Sequence, residues 1–328
     1  MAEDRLAEAR EEKPADVSGN GASEADKMEG LQARLRKEAR KRQIDLGQLK
    51  SGGYIKERQK DLFTIRLRVP GGRLSLERMR KIVEVAEKYG GEFVHLSVRQ
   101  SVEIPHVHID HFDAIAADLE EVGQKVASCG PRVRVPTACG GCEYNPNGLT
   151  DSQNMALEVD RRYFGTPTHH KFKVTFSGCP IDCPHARQAD LGFVGSVKPE
   201  LIPELCTACG LCVKACQEGA LEMFNDLPVR DEEKCTRCGD CIKVCPFDSM
   251  VPGEVGHSVY AGGKGGKHPR WADKVSGKDI YSDEEALGII EKVLAWYEEI
   301  GVRGERLGHT IDRVGLDRFK EEVFGEGA

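Results

Sequence analysis

Residues 171–193 read Lys171-Phe172-Lys173-Val174-Thr175-Phe176-Ser177-Gly178-Cys179-Pro180-Ile181-Asp182-Cys183 and run on through Pro184 to Asp190-Leu191-Gly192-Phe193. The opening residues alternate, Phe172, Val174 and Phe176 against Lys171, Lys173 and Thr175, which is the pattern of a strand over Phe172–Phe176 with one buried face. Lys171 and Lys173 then share a side and can face one pocket. Upstream, Thr137-Ala138-Cys139-Gly140-Gly141-Cys142 supplies a second thiol pair. Two thiolate pairs about 40 residues apart suit a [4Fe–4S] cubane or a zinc ion, and spacing alone leaves both open.

The next fifty residues carry eight more cysteines. Cys206, Cys209, Cys212 and Cys216 form C-x2-C-x2-C-x3-C, and Cys235, Cys238, Cys241 and Cys245 repeat it, with Pro246 after the second run and Gln217 after the first. This is the bacterial ferredoxin spacing, in which three thiolates of a run reach one cubane and the fourth crosses to its partner. The expected ligand sets are therefore Cys206, Cys209, Cys212 and Cys245 for one [4Fe–4S] cluster, and Cys235, Cys238, Cys241 and Cys216 for the other. Structural zinc uses two separated cysteine pairs, and neither run divides that way.

Farther out, Phe63, Ile65, Leu67 and Val69 alternate with polar residues as in a strand ended by Pro70-Gly71-Gly72. Ser75 is placed to cap a helix with Met79, Ile82, Val83 and Ala86 at helical spacing, stopped by Gly90-Gly91. Strands follow at Phe93–Val98 and near Val102–Ile104, and Asp110 is placed to cap a helix carrying Phe112, Ile115, Ala116, Leu119 and Val122. Near the C-terminus, Ala286, Ile289, Ile290, Val293, Leu294 and Trp296 mark an amphipathic helix, with a last helix near Leu316–Phe324. His106, His108 and His111 run from strand into helix without metal-ligand spacing. Cys129 stands alone and reads as a buried thiol. The glycine- and lysine-rich loop Gly262–Lys267 lacks the Walker pattern, so no nucleotide site is read there.

Residues 1–30 hold nine acidic and four basic side chains and give way to a basic stretch through Lys50, which reads as a solvated extension, disordered or helical. Over all 328 residues the formal charge is −7, which argues against a nucleic-acid surface. No run approaches the ~18 apolar residues of a membrane span, and the acidic N-terminus is unlike a signal peptide. A cytoplasmic protein is expected, and thirteen cysteines in a reducing compartment favour metal and redox chemistry over disulfides.

The segment from Lys171 through Ser177-Gly178-Cys179, Cys183 and Asp190-Leu191-Gly192-Phe193 resembles the sirohaem signature of sulfite and nitrite reductases. Residues 63–105, with Ser97-Val98-Arg99-Gln100, are similar to that family's ferredoxin-like half-domain. Gly262–Arg270 and Gly304-Glu305-Arg306-Leu307-Gly308 look like later parts of its sirohaem domain. The ferredoxin-type insert resembles that of the catalytic subunits of anaerobic and dissimilatory sulfite reductases. The resemblance implies an α+β fold: an extension over 1–50, a half-domain over 51–125, a sirohaem/[4Fe–4S] domain over 126–198 and 251–328, and an inserted two-cluster ferredoxin domain over 199–250.

It further implies sirohaem, and it resolves Cys139, Cys142, Cys179 and Cys183 as a third [4Fe–4S] site with Cys183 bridging to the sirohaem iron. The family spaces the first pair as C-x5-C, which falls on Asn145, and Cys142 is the natural substitute. Arg99, Arg134, Lys171 and Lys173 are the implied sulfite-binding cations. Further cofactor contacts are implied for Arg99, Thr137, Lys264, Lys267 and Arg270. The implied activity is six-electron reduction of sulfite, with nitrite reduction or a non-catalytic electron-transfer role as the alternatives. No flavin or nicotinamide fingerprint is visible, so an electron-donor protein is expected. Larger family members carry two half-domains, so this single copy implies an oligomer.

Overall fold

The structure, a computed structural model, describes residues 23–40, 45–275 and 278–325. The expected tail over residues 1–22 lies outside the described residues.

Four antiparallel strands form the first sheet: β1 (Tyr54–Lys56), β2 (Leu62–Arg66), β3 (His95–Leu96) and β4 (Val102–His108), in the order β1-β2-β4-β3. The alternation read from Phe63 holds, since Phe63 and Ile65 are buried between half-buried neighbours. Helices Leu76–Tyr89 and Phe112–Glu120 cover one face, packing Ile82, Val85, Phe112, Ile115 and Leu119 against Ile65 and Ile104. Ser75 caps the first helix as expected, its Oγ accepting from the Arg78 amide at 3.2 Å. The buried stripe, however, is Ile82, Val85 and Ala86, while Met79 and Val83 face outward. Asp110 does not cap the second helix; His108 Nδ1 accepts the Asp110 amide instead.

In the larger sheet β5 (Thr137–Ala138), β6 (Val174–Ser177) and β7 (Leu191–Leu201) run parallel, and β10 (Met250–Ala261) and β11 (Asp273–Lys274) are antiparallel, giving the order β11-β10-β7-β6-β5. Phe172, Phe176 and Phe193 join Ile290, Trp296 and Phe319 in one core beneath the C-terminal helices Asp283–Ile300, Leu307–Val314 and Leu316–Phe324. Ser282 and Glu285 form a full capping box on the first of these, which fixes where it starts.

Between β7 and β10 the chain makes one excursion. Leu201 pairs with Met250, so residues 202–249 leave and rejoin the sheet at adjacent points. The excursion holds a hairpin, β8 (Leu221–Phe224) and β9 (Leu227–Arg230), and the short helices Leu211–Ala215 and Asp240–Lys243 that carry cysteines.

Side chains lock the two sheets together. Gln153 Nε2 donates to the carbonyls of Gly71 and Cys139, both at 2.9 Å, and Gly71 makes this approach at φ +61°, a conformation suited to glycine. Gln100 pairs with Ala138 as a backbone would, its Nε2 donating to Ala138 O at 2.6 Å and its Oε1 accepting the Ala138 amide at 2.9 Å. The N-terminal extension is not simply solvated. Helix Glu24–Arg40 buries Met28, Gln32 and Leu35, and Gln32 Nε2 lies within 3.2–3.3 Å of the carbonyls of Gly52, Val126 and Ala127. Among the described residues, no helix is long and apolar enough to cross a membrane.

Candidate functional site

The site is built outward from Asp190. This fully buried carboxylate takes both arms of the Arg306 guanidinium, Nε to Oδ1 at 2.7 Å and Nη2 to Oδ2 at 2.6 Å. Its Oδ2 also accepts the Lys173 amide at 2.8 Å. Lys171 and Lys173, both half-buried, flank the fully buried Phe172 as alternation required. The strand itself, however, covers Val174–Ser177 and is buried on both faces, Thr175 and Ser177 included, because it lies inside the sheet between β5 and β7.

The four expected cations share one electrostatic neighbourhood. Burial, followed by the Arg99 and Arg306 guanidiniums, lowers the Lys173 ammonium to about 8. Burial and then Arg306 and Arg134 lower Lys171 in the same direction. Arg99 is brought down to about 10 by burial and then by Arg134 and Arg66, while its Nη2 donates to Val135 O at 2.6 Å. Arg134 is lowered chiefly by burial and is held by the carbonyls of Gly130 and Ser128 at 3.2 and 3.0 Å. Such mutually repelling cations persist because a fixed framework holds them, which is the condition for binding an anion strongly.

Sequence reading missed Arg66 and Arg306. Arg66 lies on β2, its Nε donating to Glu103 Oε1 at 2.7 Å and its Nη1 to Cys129 Sγ at 3.1 Å. Cys129 is buried as expected and sits among these cations. A cavity of about 460 Å³ is lined here by Lys50, Arg66, Cys129, Arg134, His170 and Lys171, a size ordinary for small-ligand sites. The signal available for Arg306 was its place in Gly304–Gly308; for Arg66 it was a basic residue on the polar side of an alternating strand.

The remaining expected cofactor contacts are engaged elsewhere. Thr137 Oγ1 meets Thr175 Oγ1 at 2.7 Å inside the sheet. Lys264 Nζ lies 2.7 Å from His309 Nε2, and Arg270 is committed to Asp273 and Asp312 at 2.6 and 2.8 Å. Lys267 is exposed. His106 and His108 bond to Glu57 and Asp110, and His111 packs near Tyr89.

The cysteines fall in three regions of the fold, and among the described residues no three His, Cys, Asp or Glu side chains are already drawn together closely enough to hold a metal ion. Gly178 N donates to Cys139 Sγ at 3.0 Å, and Cys139 and Cys183 both raise the Cys179 thiol after burial has done so first. The loops meet backbone to backbone: a Cβ on Gly178 would stand 2.6 Å from Gly141 Cα, and one on Gly195 2.2 Å from Gly178 O. Cys142, exposed, lies one residue beyond that contact on the turn Gly141–Tyr144. Asn145 instead accepts the Asn147 amide at 3.0 Å.

In the excursion, Cys216, Cys235, Cys238 and Cys241 line one cavity of about 320 Å³. A second, narrower hollow is lined by Cys206, Cys209, Cys212 and Cys245. Thus the fourth cysteine of each run stands with the first three of the other. The larger cavity also reaches Pro180, Ile181 and Arg187, so it abuts the Cys179–Cys183 loop.

Comparison with known proteins bears on this arrangement. The nitrite and sulphite reductase 4Fe-4S domain family matches residues 129–327, and the nitrite/sulfite reductase ferredoxin-like half domain matches residues 55–122. The chain is 32% identical over 274 residues to the coenzyme F420-dependent sulfite reductase of Methanocaldococcus jannaschii, covering 83% of this chain and 44% of that one. It is 30% identical over 286 residues to one of the anaerobic sulfite reductase subunits of Salmonella typhimurium, covering 79% of this chain and 82% of that one. In fold it is similar to the crystal structure of dissimilatory sulfite reductase I, with a TM-score of 0.67 at 20% identity over 81% of this chain and 70% of that one.

Proposed function

The chain belongs to the nitrite and sulphite reductase family, and from that footing we propose that it reduces sulfite to sulfide by six electrons, entering through the cysteine-rich excursion. The observation that carries this reading is the cationic cluster on the Asp190–Arg306 anchor, with the Lys173 ammonium lowered to about 8. Arg99 and Arg134 would hold the oxygens of the anion. Lys171 and Lys173 would supply protons as those oxygens depart as water, a demand that fixed guanidiniums cannot meet.

The family implies sirohaem and a [4Fe–4S] cluster. The donor chemistry fits both: cysteine thiols in glycine-lined loops that leave no room for a Cβ, and a cluster of cations able to meet carboxylates. Cys139, Cys142, Cys179 and Cys183 would hold the cluster, with Cys183 as the bridge to sirohaem. Bound sirohaem supplies an iron at which the anion accepts electrons. The two cysteine-lined hollows support an inserted ferredoxin unit with crossed ligand sets, hence three clusters in all, and contact with Pro180 and Ile181 supports relay from the inner one.

The edge strand β3 leaves Leu96 68% and the adjoining Val98 97% exposed, which supports a companion chain on that side. Visible spectra of anaerobically purified protein, followed by turnover assays with sulfite and with nitrite, test the reading. Sirohaem bands with sulfide formation are expected. Faster turnover of nitrite would favour the second anion, and sirohaem bands with neither activity would contradict the proposal.

A further inference from the structure

We propose that His170 is a fixed neutral hydrogen-bond donor for an anionic oxygen in the cavity lined by Lys50, Arg66, Arg134 and Lys171. This rests on the reductase reading and adds a subsite to it. The imidazole has one nitrogen already engaged, because the Lys171 amide donates to Nδ1 at 2.7 Å. A ring that accepts at Nδ1 carries its hydrogen on Nε2. Nε2 has no protein hydrogen-bond partner among the described residues, and His170 is one of the residues lining the cavity.

The surroundings favour the uncharged ring. Burial lowers its basicity first, then Arg306 and Lys171, with Arg134 acting in the same sense; only Asp190 opposes them, and that carboxylate is occupied by Arg306. Lys50 and Arg66 add positive charge along the cavity wall. The backbone around the ring is pinned as well, since Thr168 Oγ1 donates to His170 O and the Arg134 amide donates to Phe172 O at 2.8 Å. Cations draw any anion into the cavity, whereas a directed N–H selects where an oxygen sits and releases no proton in doing so. The oxygen has two sources of the same chemistry: a free oxyanion on its way to Lys171 and Lys173, or a carboxylate of the tetrapyrrole.

Two variants of the holoenzyme separate this role from a backbone cap. In His170→Asn the amide oxygen overlays Nδ1 and keeps the Lys171 amide bonded, but nothing reaches the Nε2 position. In His170→Gln the amide nitrogen reaches the Nε2 position, but the cap is lost. We expect His170→Asn to weaken binding roughly tenfold, the loss of about one hydrogen bond, and His170→Gln to stay near wild type. Binding is read as sulfite affinity from the shift of the sirohaem bands and as sirohaem content per chain. Weaker sulfite binding at full sirohaem content assigns the oxygen to the free anion, and reduced sirohaem content assigns it to the tetrapyrrole.

The reverse order, or no change in either variant, would overturn the proposal. Should both variants fail to fold, Lys50→Met decides: a several-fold loss in sulfite affinity or sirohaem content is expected at low salt, shrinking as salt rises, and an unchanged protein would overturn the subsite. Failure of the reductase reading looks different, since it shows in the wild-type protein itself, as absent sirohaem bands or as sirohaem bands with neither activity.

Discussion

Asp190 and Arg306 stand 116 positions apart and meet as a buried bidentate pair, with the Lys173 amide on the same carboxylate. One carboxylate thus ties the strand entering the cysteine loop to the residue that precedes helix Leu307–Val314. Removing one member leaves an uncompensated buried charge, at a cost of about 3–5 kcal/mol. Asp190→Ala should lower stability by that order in denaturant titration. Asp190→Leu combined with Arg306→Met should recover much of it without restoring turnover, because the Lys173 amide stays unanchored. Equal stability of Asp190→Ala and wild type would rule out the anchor.

The crossed cysteine sets predict which cluster each substitution damages. Cys216 shares its cavity with Cys235, Cys238 and Cys241, and Cys245 shares the other with Cys206, Cys209 and Cys212. Cys216→Ser should therefore perturb the paramagnetic resonance of the cluster that Cys235→Ser perturbs, and Cys245→Ser that of the other. A signal loss that follows each run rather than each cavity would refute the crossing.

Iron analysis follows from the same sets. Three cubanes and one sirohaem require about thirteen irons and about twelve acid-labile sulfides per chain. A value near eight cluster irons would mean that the Cys139, Cys142, Cys179 and Cys183 loops do not assemble a cubane, and would put Cys142 in question as the stand-in at the position where Asn145 turns away.

The Lys173 ammonium fixes the sign of a pH effect. It is charged below about 8 and loses its proton as pH rises through that value. A lysine that must be protonated to bind and protonate the anion makes turnover fall on the alkaline side near pH 8. Lys173→Arg should move that limb upward, since a guanidinium stays charged there, at some loss of rate because it does not give up its proton. An alkaline limb that stays put in Lys173→Arg would assign it to another group.

Much of this arrangement was legible in the sequence because it is local. The cysteine runs, the Phe172 alternation and the Ser75 cap each depend on residues a few positions apart. Pairings across long separations were not legible: nothing near Arg66 points to Cys129, and nothing near Arg306 points to Asp190. Helix Leu76–Tyr89 shows a second limit, since Met79, Ile82, Val83 and Val85 are all apolar and only the sheet decides that Val85 goes in while Met79 and Val83 go out. The docked helix Glu24–Arg40 was hidden because Met28, Gln32 and Leu35 are a narrow stripe among charges, and one of the three is polar. Arg270 looked available because a basic residue in a glycine-rich loop gives no sign of Asp273 and Asp312 around it.

Sulfite turnover by Lys173→Met tests the central claim most directly. The substitution keeps the unbranched shape to within one atom, deletes the charge and leaves the backbone amide on Asp190. Removing one preorganised donor of this kind typically lowers turnover by about 10²–10³. A loss of that order is predicted, with sirohaem and cluster spectra unchanged. Wild-type turnover in the fully loaded variant would contradict the assignment of Lys173 to the anion.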